Sequence, residues 1–116
     1  MNEKDYEDIF KIIICAGDAR TLASEAIDLL EEYKFDLANQ KLKEAKNKLV
    51  QCHNIQTEFL NAEAKDQKNN INIFMIHAQD HFSMATSSIE MAERLKSIYM
   101  KISNMEEKYE KRINNV

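Results

Sequence analysis

Residues 72–110 read NIFMIHAQDHFSMATSSIEMAERLKSIYMKISNMEEKYE, and this stretch decides the fold. Phe74, His77, His81, Met84, Ser88, Met91, Leu95, Ile98, Ile102, Met105 and Tyr109 recur at alternating steps of three and four. That is a heptad seam held over about five repeats, the signature of a helix packing against other helices. A helix of about 38 residues is about 57 Å long, more than a lone three-helix domain of this size needs. The surplus points to a frayed C-terminal end or to association between chains. Beside the seam runs a second row, Ile73, Ile76, Asp80, Ser83 and Ser87. One row is expected to pack on the rest of the chain and the other to meet a symmetry mate, so a homo-oligomer built around this helix is expected.

Working outward, two more helices precede it. The first spans about residues 3–32, with Ile9, Ile13, Ala16, Ala23, Ile27 and Leu30 as its stripe. The second spans about 37–64, with Ala38, Leu42, Ala45, Leu49, Cys52, Gln56 and Phe59 inward and a lysine- and glutamate-rich face outward. A break is expected at Tyr33-Lys34-Phe35, with Asp36 capping the second helix. Lys65 to Asn70 has no apolar residue and reads as a loop, after which Asn70 or Asn72 caps the third helix. The chain has no proline and one glycine, Gly17, and no Asn-Gly or Asp-Gly hairpin signal. Its 116 residues fit one domain, 1–116. The expected architecture is all-α, an antiparallel up-down-up three-helix bundle with a long third helix.

Composition narrows the function. Charged residues make up 31%, both signs are interspersed, and the net charge is −4. Nucleic acid and anionic membrane surfaces need a basic patch, so neither is expected as a partner. The apolar run from Ile9 to Ala16 contains Lys11 and is too short to span a bilayer, which argues against membrane insertion and for a cytoplasmic protein. Cys15 and Cys52 sit in helical patterns and read as reduced, packed thiols. Met84, Met91 and Met105 read as packing residues rather than a cofactor site.

One feature interrupts the third helix's apolar seam. His77, Gln79, Asp80 and His81 fall within five positions. His77 and His81 are one turn apart and share a face. The residues alone leave three readings open. The group can be structural, although burying it requires dedicated partners. His77, Asp80 and His81 can ligate Zn²⁺, with His53 of the second helix joining, although the general-base glutamate of a His-Glu-x-x-His site is absent. Or an imidazole can act as a nucleophile towards phosphorus. If Asn72 caps the helix, His77 lies in about the first turn and a half, where the helix dipole favours an anion by about 0.3–1 kcal/mol.

Three stretches resemble the lactose/cellobiose-type IIA component of the bacterial sugar phosphotransferase system. They are Ala16-Gly17-Asp18-Ala19-Arg20, His53-Asn54-Ile55-Gln56-Thr57 and, most specifically, Met75-Ile76-His77-Ala78-Gln79-Asp80-His81. The resemblance covers nearly the whole chain and implies a three-helix monomer that assembles as a homotrimer. It implies that His77 takes a phosphoryl group on Nε2 from the phosphocarrier HPr and passes it to a cysteine of the cognate IIB component during uptake of a β-linked disaccharide. His81, Gln79, His53 and Gln56 match polar positions near the phosphorylation site. Asp80 matches an aspartate at the trimer axis, where three copies share a divalent cation, expected to be Mg²⁺. The sugar itself is selected by the membrane component, so no direct sugar binding is expected.

Some residues keep plainer readings. Gln56 reads equally as a hydrogen-bonded polar residue in a core stripe. Gly17 reads as allowing close helix approach, and Asp18 and Arg20 as exposed or paired. Phe74, Met75, Ile76 and Phe82 form an apolar rim around His77 suited to brief docking of HPr and IIB. The sequence departs from the family at Ala78, where glycine is usual, and in the charged extension 104–116. The competing functions are a non-enzymatic helical scaffold with the same bundle and, behind it, a metal hydrolase using His77 and His81.

Overall fold

Asn2 opens the first helix. Its side chain accepts from the Asp5 N–H at 2.9 Å, and the Asp5 carboxylate accepts from the Asn2 N–H at 3.0 Å. This reciprocal pair satisfies two of the donors that every helix start leaves open. The computed structural model describes residues 2–66 and 73–115. They form α1 (Glu3–Glu31), α2 (Phe35–Asp66) and α3 (Ile73–Asn114). No strand is present among the described residues.

The α1–α2 turn is tight. The Lys34 N–H donates to the Leu29 carbonyl at 2.9 Å and the Tyr33 N–H to the Leu30 carbonyl at 3.0 Å, a Schellman closure of α1. Its left-handed position is filled by Tyr33, with φ 60°, where glycine is the usual choice. The ring stacks on Phe35 at 6.0 Å, and interaction with Glu106 of α3 raises its hydroxyl above the ordinary tyrosine value. This compact turn lets the chain re-enter a helix at Phe35. The Lys34 carbonyl receives the first bond of α2, from the Ala38 N–H at 3.0 Å. Asp36 is therefore not the cap; it lies in the first turn, where a carboxylate still favours the helix dipole. At the other end Lys65 and Asp66 are helical, not loop. The rest of the expected loop and both candidate caps, Asn70 and Asn72, lie outside the described residues.

The helices run up, down and up. Glu25 pairs with Lys41 at 2.8 Å and Asp18 with Lys48 at 3.9 Å, which sets α1 antiparallel to α2. Tyr6 packs edge-on against Phe74 at 5.9 Å, which starts α1 and α3 at the same end. These exposed ion pairs contribute little energy each, but they record the alignment. The core row of α1 is Ile9, Ile12, Ala16, Ala19, Ala23, Ala26 and Leu30. That of α2 is Ala38, Leu42, Ala45, Cys52, Gln56 and Phe59. Cys52 is fully enclosed and its thiol donates to the Ile12 carbonyl at 3.3 Å. Burial, with a smaller contribution from Cys15, pushes that thiol up to about 11, and both cysteines are free.

On α3 the register differs from expectation. The buried row is Met75, Ala78, Ala85, Ile89 and Ala92. The heptad seam lies one position aside: Phe74, His77, Met84, Met91, Ile98, Ile102, Met105 and Tyr109 are all exposed, and His81, Ser88 and Leu95 are half-buried at its edge. The second row, Ile73 to Ser87, is exposed as well. Apart from the Phe74–Tyr6 contact and the half-buried edge, both rows face away from the chain's own helices. The reason is size: alanines bring α3 close to α1 and α2, and the larger apolar side chains are left outward. The molecule is consequently long and thin, 74 × 19 × 17 Å.

Candidate functional site

His77 and His81 stand one turn apart near the start of α3, and the first turn of that helix is where unpaired N–H groups and the dipole favour an anion. Their Nε2 atoms lie 3.1 Å apart, with ring centroids 4.5 Å apart and planes at 88°. A contact of that length between two imidazoles requires that one nitrogen carry a proton and the other a lone pair. His77 is exposed and His81 half-buried. The Nδ1 of His81 is enclosed and meets no partner among the described residues. An enclosed N–H with no acceptor is costly, so the His81 proton belongs on Nε2. His81 then donates to the Nε2 lone pair of His77, whose ring lies exposed on an open surface.

The remaining site candidates divide between two sides of α3. Gln56 is buried, and its amide donates to the Gln79 carbonyl oxygen. The pair ties α2 to α3 from the core side. His53 is exposed and packs on Phe82, with centroids 6.1 Å apart; both line an apolar groove between α2 and α3 with Leu49, Val50 and Thr86. His81 faces the opposite side, towards α1. Within one chain His53, Gln56 and Gln79 are therefore not brought to the His77–His81 pair. Of the expected apolar rim, Phe74 and Ile76 are exposed as anticipated, but Met75 is in the core and Phe82 is half-buried against His53.

A feature that sequence reasoning missed lies between α1 and α3. A groove of about 700 Å³ is lined by Gly17, Arg20, Thr21, Ser24, His81 and Ser88, among others. Among the described residues, nothing beyond its own turn of helix lies within 4 Å of where a Cβ on Gly17 would stand. Gly17 therefore does not serve close approach of this chain's own helices. Asp18 is loosely paired with Lys48, while Arg20 is exposed in the groove that holds His81. The signal was present in the small polar positions 17, 21 and 24, spaced along one face of α1.

The metal reading fares poorly within one chain. Among the described residues, no group of three or more His, Cys, Asp or Glu side chains is placed to hold an ion. Asp80 is exposed and makes no ion pair with a described residue, so it presents one carboxylate and no companion ligand. His77 and His81 face each other rather than a shared centre.

The relatives of this chain are components of a phosphotransferase system. The chain belongs to the family described as PTS system, lactose/cellobiose specific IIA subunit, whose model matches residues 7–100. It is an enzyme IIA component of a phosphotransferase system. It is 36% identical over 103 residues to the lichenan-specific phosphotransferase enzyme IIA component of Bacillus subtilis, covering 89% of this chain and 94% of that one. It is 31% identical over 99 residues to the lactose-specific EIIA component of Lacticaseibacillus casei, covering 85% and 88%. Its fold is similar to the crystal structure of the cellobiose-specific enzyme IIA of Bacillus anthracis, with TM-score 0.83, 31% identity and coverage of 90% and 95%. The chitobiose IIA of Escherichia coli, solved in complex with HPr, shares the fold with TM-score 0.79 at 24% identity, covering 88% and 99%. No helix among the described residues is long and apolar enough to cross a membrane.

Proposed function

We propose that this chain is a phosphoryl carrier that accepts the group from HPr on His77 Nε2 and delivers it to the cysteine of a cognate IIB component, in the cytoplasm. The observation that carries the reading is the 3.1 Å Nε2–Nε2 contact on the open face of α3, in a chain of the IIA family. The structure of a chitobiose relative with HPr supports the choice of donor.

In the first step the His77 Nε2 lone pair attacks the phosphorus of phosphohistidine on HPr. A new N–P bond forms, the N–P bond to HPr breaks, and its electron pair returns to the HPr imidazole. The His81 Nε2–H, released from His77, turns to a phosphoryl oxygen one helical turn away. In the second step a IIB thiolate attacks the same phosphorus, the S–P bond forms, and the His77 lone pair is restored. Positioning and charge stabilisation carry most of such transfers. Gln56 and Gln79 position α3 on α2 rather than touch the phosphoryl group.

The same reading includes a homotrimer with Asp80 at its axis. The exposed seam of α3 supports association, and three aligned copies of Asp80 supply the ligands that one chain lacks. Three carboxylates about 4 Å apart repel by about 4 kcal/mol per pair at an effective dielectric near 20, and a bound Mg²⁺ would offset that repulsion. Incubation with phosphoenolpyruvate, enzyme I and HPr is expected to add one acid-labile phosphate per chain. His77→Gln is expected to abolish it with the helical circular dichroism unchanged. A wild-type chain left unphosphorylated would overturn the proposal and leave a helical scaffold.

A further inference from the structure

A phosphoryl group on His77 brings close to two negative charges at neutral pH, and its own helix offers little to balance them. α3 has no lysine or arginine from Ile73 to Glu93, and Asp80 lies within one turn of His77. The His81 Nε2–H is one donor, but a neutral imidazole adds no charge. A cation must come from another element. α1 has three, Lys4, Lys11 and Arg20. Lys4 and Lys11 fall in steps of seven with Asp18, which pairs with Lys48 of α2. Two helical turns separate such residues, so that row faces α2. α2 in turn meets α3 on the side away from His81, through Gln56–Gln79 and His53–Phe82. Arg20 stands on the other flank of α1, in the groove with α3 that His81 also lines. It is exposed, it enters no ion pair among the described residues, and no carboxylate lines that groove.

Direction brings Arg20 to the histidine pair. α1 and α3 run parallel, as the Tyr6–Phe74 contact records, and the pair lies towards their shared N-terminal end. Helical side chains lean back over the preceding turn, so the Arg20 stem runs towards that same end. The turn it crosses carries Gly17, three residues earlier. Beyond its own turn of helix, nothing described lies within 4 Å of a Cβ placed there. The bare glycine leaves the stem a channel along the groove towards His81. The planar fork of a guanidinium suits phosphoryl oxygens.

We infer that Arg20 reaches along the α1–α3 groove to the phosphoryl group on His77 and donates guanidinium N–H bonds to its oxygens, beside the bond from His81. Arg20 is then a catalytic residue of the transfer. It balances charge on the transferring group and exchanges no proton, so the bonds made and broken at phosphorus stay as described. This rests on the carrier reading above.

Phosphorylation of the full chain by phosphoenolpyruvate, enzyme I and HPr tests it, with wild type, Arg20→Gln and Arg20→Lys compared. Two quantities are read: kcat against KM for phospho-HPr, and the equilibrium division of the phosphoryl group between HPr and this chain. Arg20→Gln is expected to lower kcat by about tenfold or more and to move the equilibrium towards HPr by about tenfold, the loss of one charge-assisted contact. KM should barely move. Arg20→Lys keeps the charge without the fork and should recover part of both losses. The Arg20 Nε–H resonance should shift when the wild type is phosphorylated and stay in place when His77→Gln is treated alike. An unphosphorylated wild type would overturn the carrier reading and the role of Arg20 together. A phosphorylated wild type whose Arg20→Gln form keeps kcat and equilibrium would overturn the role of Arg20 alone. So would a rise in KM by itself, which marks a docking contact, or a loss that tracks altered sedimentation or helicity, which marks a structural one.

Discussion

Gln56 and Gln79 separate a structural role from a catalytic one, and the separation is measurable. Gln56 is 9% exposed and spends an amide N–H on the Gln79 carbonyl oxygen. Gln79 is only half-buried, so it can turn to water if released. The two truncations are therefore unequal. Gln79→Ala leaves a buried donor without its acceptor, at about 1–3 kcal/mol. Gln56→Leu keeps the volume and frees only a group that water can satisfy, at below about 1 kcal/mol. Combining Gln56→Leu with Gln79→Ala should cost less than Gln79→Ala alone. At a urea slope of about 1–2 kcal/mol/M, the Gln79→Ala midpoint should fall by about 1 M. Urea unfolding of the four forms at one fixed protein concentration gives the coupling energy, and initial rates of phosphorylation by HPr give the second axis. The expected coupling is about 1 kcal/mol, with a phosphorylation rate in the double variant within a few-fold of wild type. Additive stabilities, or a double variant that folds normally yet loses phosphorylation, would refute the reasoning and return the pair to the chemistry.

Three shorter expectations stand beside it. The Cys52 thiol is raised to about 11 from an unfolded value near 9, so its contribution to stability is complete below pH 9 and is lost as pH climbs from 9 to 11; denaturation midpoints should decline over that window, and less so in Cys52→Ala, while in the native state Cys15 should react with thiol reagents before Cys52. Gly17→Ala adds a methyl to a helical position with nothing within 4 Å and should raise the monomer's stability by about 0.5–1 kcal/mol, read as a higher thermal midpoint under dissociating conditions; a lowered midpoint there would contradict the open groove. Asp80→Asn should remove any dependence of assembly on Mg²⁺, so that chelator shifts the sedimentation of the wild type but not of the variant; equal sensitivity in both would exclude Asp80 as the ligand.

The helices were readable because the chain lacks proline and nearly lacks glycine, and because Ala38, Leu42, Ala45, Cys52 and Phe59 follow an unbroken period. The register of α3 was not, and the cause is specific. Pattern reading ranks Met84, Met91 and Ile98 above Ala78, Ala85 and Ala92, yet only the alanines let α3 close on α1. The seam of large side chains is the outer face, and the alanine-rich row beside it is the core. The Tyr33 turn was hidden for a related reason: a left-handed residue that is not glycine gives no compositional signal, and its support comes from Phe35 and distant Glu106. At the site, the i to i+4 spacing placed His77 beside His81 correctly. It could not reveal that Gln56 selects Gln79, or that His53 turns to Phe82, because both depend on how α2 rotates against α3.

Nine of the described residues are alanines with no exposed surface, spread over all three helices. Such a core has an unusual pattern of vulnerability. Deleting atoms at those nine positions is nearly impossible, since alanine has only a methyl to lose. The damaging changes are enlargements, each forcing two helices apart along their length, at about 1–3 kcal/mol for overpacking. Drift in this lineage should therefore be quiet on the outward faces and abruptly intolerant of bulk along one narrow ridge, where even a valine is an intruder.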